Sequence, residues 1–161
     1  MGADGDAMKK VFRILDANLN RALEGLRVVE EISRFILEDK KLTLAIKKLR
    51  GDVSKIIRVS EYQKEIKQRI RIPACRQAWS DKLIEFRKAE RDVGRKLYTK
   101  REGKRGNIQD VFRSNMKRAE EAERVLEEFS KLLDPKMGQK FKAVRFKLYI
   151  IEKKIARKLA V

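Results

Sequence analysis

Asn18 to Ser33 reads NLNRALEGLRVVEEIS, and Asn115 to Ser130 reads NMKRAEEAERVLEEFS. The second stretch lies 97 residues after the first (115 − 18) and aligns with it without a gap. Asn18, Arg21, Ala22, Arg27, Val28, Glu30, Glu31 and Ser33 recur as Asn115, Arg118, Ala119, Arg124, Val125, Glu127, Glu128 and Ser130. The segments after the two copies match loosely, KKLRGDVSKI around Arg50 resembling KAVRFKLYII around Arg145. Two copies are too few for a solenoid. They point to two helical hairpins packed about a pseudo-twofold axis.

Each copy is amphipathic with one anomaly. At roughly 100° per residue, Leu15, Leu19, Ala22, Leu26 and Val29 join Ile14, Ala17, Val28, Ile32 and Phe35 in a wide apolar arc. Asn18 and Arg21 fall inside that arc. Asn115 and Arg118 do the same among Phe112, Ala119, Ala122, Leu126 and Phe129. A buried guanidinium without a partner costs several kcal/mol, so its repetition asks for a reason. Two readings stay open: Arg–Glu pairs across the pseudo-twofold, or an anion site.

Outward from the repeats, the pattern is helical throughout, with no sustained strand-type alternation. Lys9 to Leu37 reads as a long helix, broken at Glu38-Asp39-Lys40. Gly25 inside it costs about 1 kcal/mol and marks close approach of a backbone or ligand; its counterpart is the small Ala122. Thr43 is the expected N-cap of the next helix. Pro73 suits the start of a middle helix running to about Arg91, with Trp79 in the core. TKREGKRGN, Thr99 to Asn107, is a basic Gly-containing loop. Ile108 to Leu133 and Lys136 to Leu159 are the last two helices, separated by Asp134-Pro135. The expectation is an all-α bundle of two duplicated long helical hairpins plus a middle helix. Residues 1–7 read as a disordered leader or cloning remnant and 8–161 as one domain. Within it, repeat A covers about 9–58, a connecting segment about 59–106, and repeat B about 107–160.

Composition narrows the chemistry. The 161 residues carry 42 Lys and Arg against 24 Asp and Glu, a net charge of +18. That field attracts phosphates, nucleotides, nucleic acid or acidic lipid. The charge-rich composition also suits a hot-growing source. There is no His, which removes His ligands, His bases and His-dependent triads. The single Cys75 allows no internal disulfide, so a reducing, cytoplasmic setting is expected. No apolar run approaches the ~20 residues of a membrane span. Arg21, Arg50, Arg118 and Arg145 gathered about the axis would form guanidinium forks suited to phosphate. Asn18 and Asn115 would orient a polar ligand edge. Glu24, Glu31, Glu121 and Glu128 could neutralise the arginines or hold Mg²⁺.

RILDANLNRALEGLRVVEEISRF and NMKRAEEAERVLEEFSK resemble a small helical family found alone or fused ahead of thiamin phosphate synthase. That family is associated with a hydroxymethylpyrimidine phosphate kinase. Arg91-Asp92-Val93-Gly94 is similar to the family's D-V-G segment. The resemblance runs from about Phe12 to about Glu152. It implies transfer of the γ-phosphoryl group of ATP to hydroxymethylpyrimidine monophosphate, with Mg²⁺. The matching positions are Asn18, Arg21, Glu24, Arg27, Arg50, Asp92, Asn115, Arg118, Glu121 and Arg124. Arginines, Arg145 included, would hold phosphates; Glu24, Asp92 and Glu121 would bind Mg²⁺ or act as base. The chain departs from the family where a His is expected at Gly51 and an acidic residue is expected in Glu85-Phe86-Arg87-Lys88. The implied partners are a phosphorylated pyrimidine and a nucleotide, in a form without the synthase barrel. The competing class is a basic helical module binding RNA or DNA through phosphates. Burial of Arg21 and Arg118 would favour the small ligand, and a homodimer is left open.

Overall fold

Asp39 and Asp134 end the two turns that give the chain its shape. The computed structural model describes residues 3–58, 83, 86–87, 89–97 and 104–160. Its long helices are α1 (Ala3–Glu31), α2 (Lys40–Arg58), α3 (Ile108–Ser130) and α4 (Pro135–Leu159). Among the described residues there is no strand, so the protein is all-α as expected. α1 starts at Ala3, inside the stretch expected as a leader. The middle helix, Pro73, Cys75, Trp79 and the first part of the Thr99–Asn107 loop lie largely outside the described residues. Around Asp92 the chain forms two short 3₁₀ turns, Ala89–Arg91 and Val93–Lys96.

α1 runs into a single π-helical stretch, Ile32–Ile36, before the chain reverses. Glu38 takes a left-handed backbone with φ 47. Asp39 then caps α2, its Oδ1 accepting from the Leu42 N–H at 2.9 Å. Thr43 is therefore not the N-cap; it sits one turn inside and donates to the Asp39 carbonyl at 2.8 Å. An aspartate placed just after a left-handed residue reaches the free N–H groups of the first turn earlier in the chain than Thr43 could. At the other turn Asp134 accepts from the Lys136 N–H at 2.8 Å, and Pro135 fills the first helical position, where no N–H is needed.

The four helices pack in a ring: α1 on α3, α3 on α4, α4 on α2, and α2 on α1. Phe12, Leu26 and Val29 of α1 meet Phe112, Met116 and Leu126 of α3, with Ile46 and Val53 of α2 and Phe141, Leu148 and Ile155 of α4 completing the core. Each such side chain contributes about 1.5–3 kcal/mol by leaving water. The α1–α3 crossing is tight at Gly25. A Cβ there would stand 2.6 Å from the Asn115 carbonyl oxygen and 3.3 Å from the Ala119 nitrogen. The glycine's cost to the helix is thus repaid by backbone approach. The segment near residue 86 is pinned to this core by Phe86, which stacks on Phe12 with ring centroids 5.4 Å apart.

Candidate functional site

Beside the Gly25 crossing, α1 and α3 diverge and leave a groove of about 460 Å³. Asn18 and Arg21 line it from α1; Ser114, Lys117, Arg118 and Glu121 line it from α3. The repeat thereby brings Arg21 and Arg118 together. The expectation that they are buried is corrected: both are exposed. Their positions close the apolar arc on the side where the helices part, so the arc's edge meets the groove and not the core. Among the described residues neither guanidinium has an ion pair or a side-chain hydrogen bond. Asn18 is buried and donates its amide to the Ile14 carbonyl at 2.9 Å. Asn115 repeats this on Val111 at 2.8 Å. Each amide thus spends one N–H within its own helix, which fixes its orientation and leaves its oxygen and second N–H for other partners.

Four other arginines go elsewhere. Glu30 and Glu127 are both nearly fully buried, and a buried carboxylate demands a cation. Arg50 of α2 meets Glu30 at 2.6 Å, while Arg27 reaches Glu30 at 3.3 Å and also pairs with Glu31. Arg145 of α4 meets Glu127 at 2.7 Å, and Arg124 lies 3.0 Å from both Glu127 and Glu128. Arg145 also donates to the Tyr149 hydroxyl at 2.8 Å. These pairs lie within each helix pair, α1 with α2 and α3 with α4. Arg27, Arg50, Arg124 and Arg145 are therefore not gathered with Arg21 and Arg118. Their partners are the glutamates of the same repeat.

A second cavity, about 260 Å³, opens further around α1. Arg13, Asp16, Asn20 and Glu24 line it with Arg87 and Asp92 from the short segment that crosses α1. Asp16, almost fully buried, receives Arg87 in a two-pronged pair at 2.7 and 2.8 Å. That hydrogen bond holds the Arg87 guanidinium above its usual basicity, with the Glu24 charge adding to it. Asp92 caps the second 3₁₀ turn through the Gly94 N–H at 2.9 Å. Glu24 and Asp92 thus share one cavity, whereas Glu121 lies in the groove. Ala17, Asn20 and Glu24 of the cavity are the repeat counterparts of Ser114, Lys117 and Glu121 of the groove.

Arg87, read from sequence as a departure, is the residue that organises this cavity. Its partner lies 71 positions away, and no local pattern signals such a pair. Lys117 and Ser114 were also missed, because both look like ordinary surface positions on a helix. Gly51, the other departure, faces open space: a Cβ there meets nothing within 4 Å.

Among the described residues no group of three or more acidic or thiol side chains could hold a metal by itself. Magnesium needs less, since it takes one or two carboxylates and completes its shell with water and phosphate oxygens. Glu24 and Asp92 offer such a pair on one cavity. No helix among the described residues is long and apolar enough to cross a membrane.

The ThiD2 family model matches residues 13–71 and 58–154. Proteins named thiamine-phosphate synthase are similar over most of the chain. The one from Synechocystis sp. is 38% identical over 143 residues, 88% of this chain and 35% of its own length. That from Nostoc punctiforme is 37% identical over 88% of this chain and 34% of its own. That from Rhodopirellula baltica is 33% identical over 94% of this chain and 36% of its own. The chain thus spans about a third of the length of the curated relatives it matches. No solved structure matches it.

Proposed function

Since the chain belongs to the ThiD2 family, we propose that it acts in thiamine biosynthesis as a phosphotransferase, passing the γ-phosphoryl group of ATP to hydroxymethylpyrimidine monophosphate. The observation that carries this reading is the convergence of Arg21 and Arg118, both free of partners among the described residues, on one groove with Lys117. Unpaired guanidinium groups kept together by a helix crossing are suited to phosphate oxygens. The name thiamine-phosphate synthase belongs to longer proteins, of which the matched part is 35%, and this reading gives the present chain a separate, supporting step.

The acceptor in this reaction is itself a phosphate. Its second ionisation lies near pH 6, so at neutral pH its oxygen is already a nucleophile and no general base is required. A bond forms between that oxygen and the γ-phosphorus, the bond to the β–γ bridging oxygen breaks, and ADP leaves. Arg21, Arg118 and Lys117 hold the phosphates in line and offset their charge, which is most of what phosphoryl transfer asks of a protein. Glu24 and Asp92 would hold Mg²⁺, which when bound neutralises charge on the nucleotide phosphates. Glu121, also on the groove wall, keeps the basic groove from closing on any anion indiscriminately.

The test is a turnover assay for pyrimidine diphosphate with ATP and Mg²⁺, beside a thermal-shift titration with the pyrimidine phosphate, ATP-Mg²⁺ and a short RNA at low and moderate salt. Stabilisation by the pyrimidine phosphate that survives moderate salt, with turnover, is the expected result. Stabilisation by RNA alone, lost with salt, would replace the kinase with a basic nucleic-acid-binding module, the reading that the +18 charge favours.

A further inference from the structure

The duplication supplies an internal control on the groove. One stripe of α1 carries Asn20, Leu23 and Leu26; the same stripe of α3, 97 residues on (117 − 20), carries Lys117, Glu120 and Glu123. Leu26 is fully buried, as a core leucine should be. Glu123 is equally buried, and among the described residues neither of its carboxyl oxygens has a hydrogen-bond partner. Glu120 is only 4% exposed. Two apolar positions of one copy are carboxyls in the other, and burial of a carboxyl costs folding free energy. Stability therefore does not account for the change.

Geometry accounts for Glu120. Lys117 lines the groove, and its Nζ donates to Glu120 Oε2 at 3.1 Å. A lysine is a compact charge on a flexible stem, so a buried tether decides where its ammonium stands. We propose that Glu120 is a positioning residue that, buried beside the groove, holds Lys117 next to Arg21 and Arg118 as the groove's third cation for a phosphoryl group. This makes a duplicated surface one-sided. On α1 the matching Asn20 is neutral and turns back to Asp16, its amide 2.8 Å from the Asp16 carbonyl. The inference rests on reading the groove as a phosphate site.

The probe is inorganic pyrophosphate, titrated calorimetrically into the wild type, Lys117→Met, Glu120→Leu and Glu120→Gln, with Tm measured for each. Lys117→Met is expected to weaken pyrophosphate about tenfold, the size of one charge-assisted contact. Glu120→Leu installs the side chain of the first copy. It should raise Tm and still weaken pyrophosphate about three- to tenfold, because Lys117 loses its tether. Glu120→Gln should lie between the wild type and Glu120→Leu in affinity and serves the same comparison if Glu120→Leu does not fold. A merely structural glutamate could not give higher stability with lower affinity. Unchanged affinity in Lys117→Met or in the folded Glu120 variants overturns the proposal, as does a wild type that binds no pyrophosphate. Turnover is judged apart: a wild type that binds pyrophosphate with these variant effects but makes no pyrimidine diphosphate would end the kinase reading and leave Glu120's role standing.

Discussion

Arg50 of α2 donates to Glu30 of α1 across 2.6 Å, and the Glu30 carboxylate it meets is nearly fully buried. Arg145 and Glu127 make the same pair between α4 and α3 at 2.7 Å. Repetition of the sequence has repeated an ion pair that ties each long helix to its neighbour. Removing the arginine alone strands a buried carboxylate. Arg50→Met is expected to destabilise the fold by about 1–3 kcal/mol, the remaining Arg27 limiting the loss. Glu30→Leu combined with Arg50→Met should recover most of it, as measured by urea unfolding. Pyrophosphate affinity of the folded Arg50→Met protein should equal that of the wild type. A loss of affinity at retained fold would return Arg50 to the anion site.

Arg21→Met with Arg118→Met should behave in the opposite way. Both side chains are exposed and without partners among the described residues, so Tm should stay within about 2 °C of the wild type, the shift of a surface change. Phosphate-ligand affinity should fall about a hundredfold, two charge-assisted contacts being lost. Equal affinity of double variant and wild type in calorimetry would show that the groove is not where anions bind.

The two helical glycines separate packing from propensity. At Gly25 a Cβ would stand 2.6 Å from the Asn115 carbonyl oxygen, a backbone atom that cannot step aside. Gly25→Ala should cost about 1–3 kcal/mol despite alanine's better helix propensity. At Gly51 a Cβ meets nothing within 4 Å, and Gly51→Ala should stabilise by about 0.5–1 kcal/mol. Thermal unfolding of the two variants decides both. A stabilised Gly25→Ala would mean that the α1–α3 crossing is looser than this separation implies.

Glu123 makes stability depend on pH. Burial pushes its carboxyl up to about 8 in the folded protein, from an ordinary value of 4.5. The folded state therefore binds the proton more tightly than the unfolded one. Stability contributed by the protonated form is fully present below about pH 4.5, declines as pH rises, and is lost above about pH 8. Glu123→Leu, the residue of the first copy, should remove this slope and stabilise the protein by about 1–4 kcal/mol at pH 8. Urea midpoints at pH 5.5 and pH 8.5 measure it. A variant whose stability changes with pH as the wild type's does would place the titrating group elsewhere.

Much is legible in the order of residues alone. The 3.6-residue apolar period makes the chain helical, because a helix shows its buried face locally. Asp134-Pro135 marks a turn for an equally local reason, since proline cannot continue a helix begun before it. Gly25 announces a close approach. The pairing of Asn18 with Arg21 and of Asn115 with Arg118 in one repeat points to the groove that α1 and α3 form.

What the tertiary structure alone decided concerns charge partners. Arg21, Arg27 and Arg50 are equal candidates on paper. Only packing reveals that Glu30 is buried between α1 and α2 and claims Arg27 and Arg50, leaving Arg21 free with Arg118 among the described residues. Likewise Asp16 takes Arg87 across 71 positions. Periodicity is written in neighbouring residues, whereas the burial that makes a carboxylate need a cation is set by elements far apart in the chain.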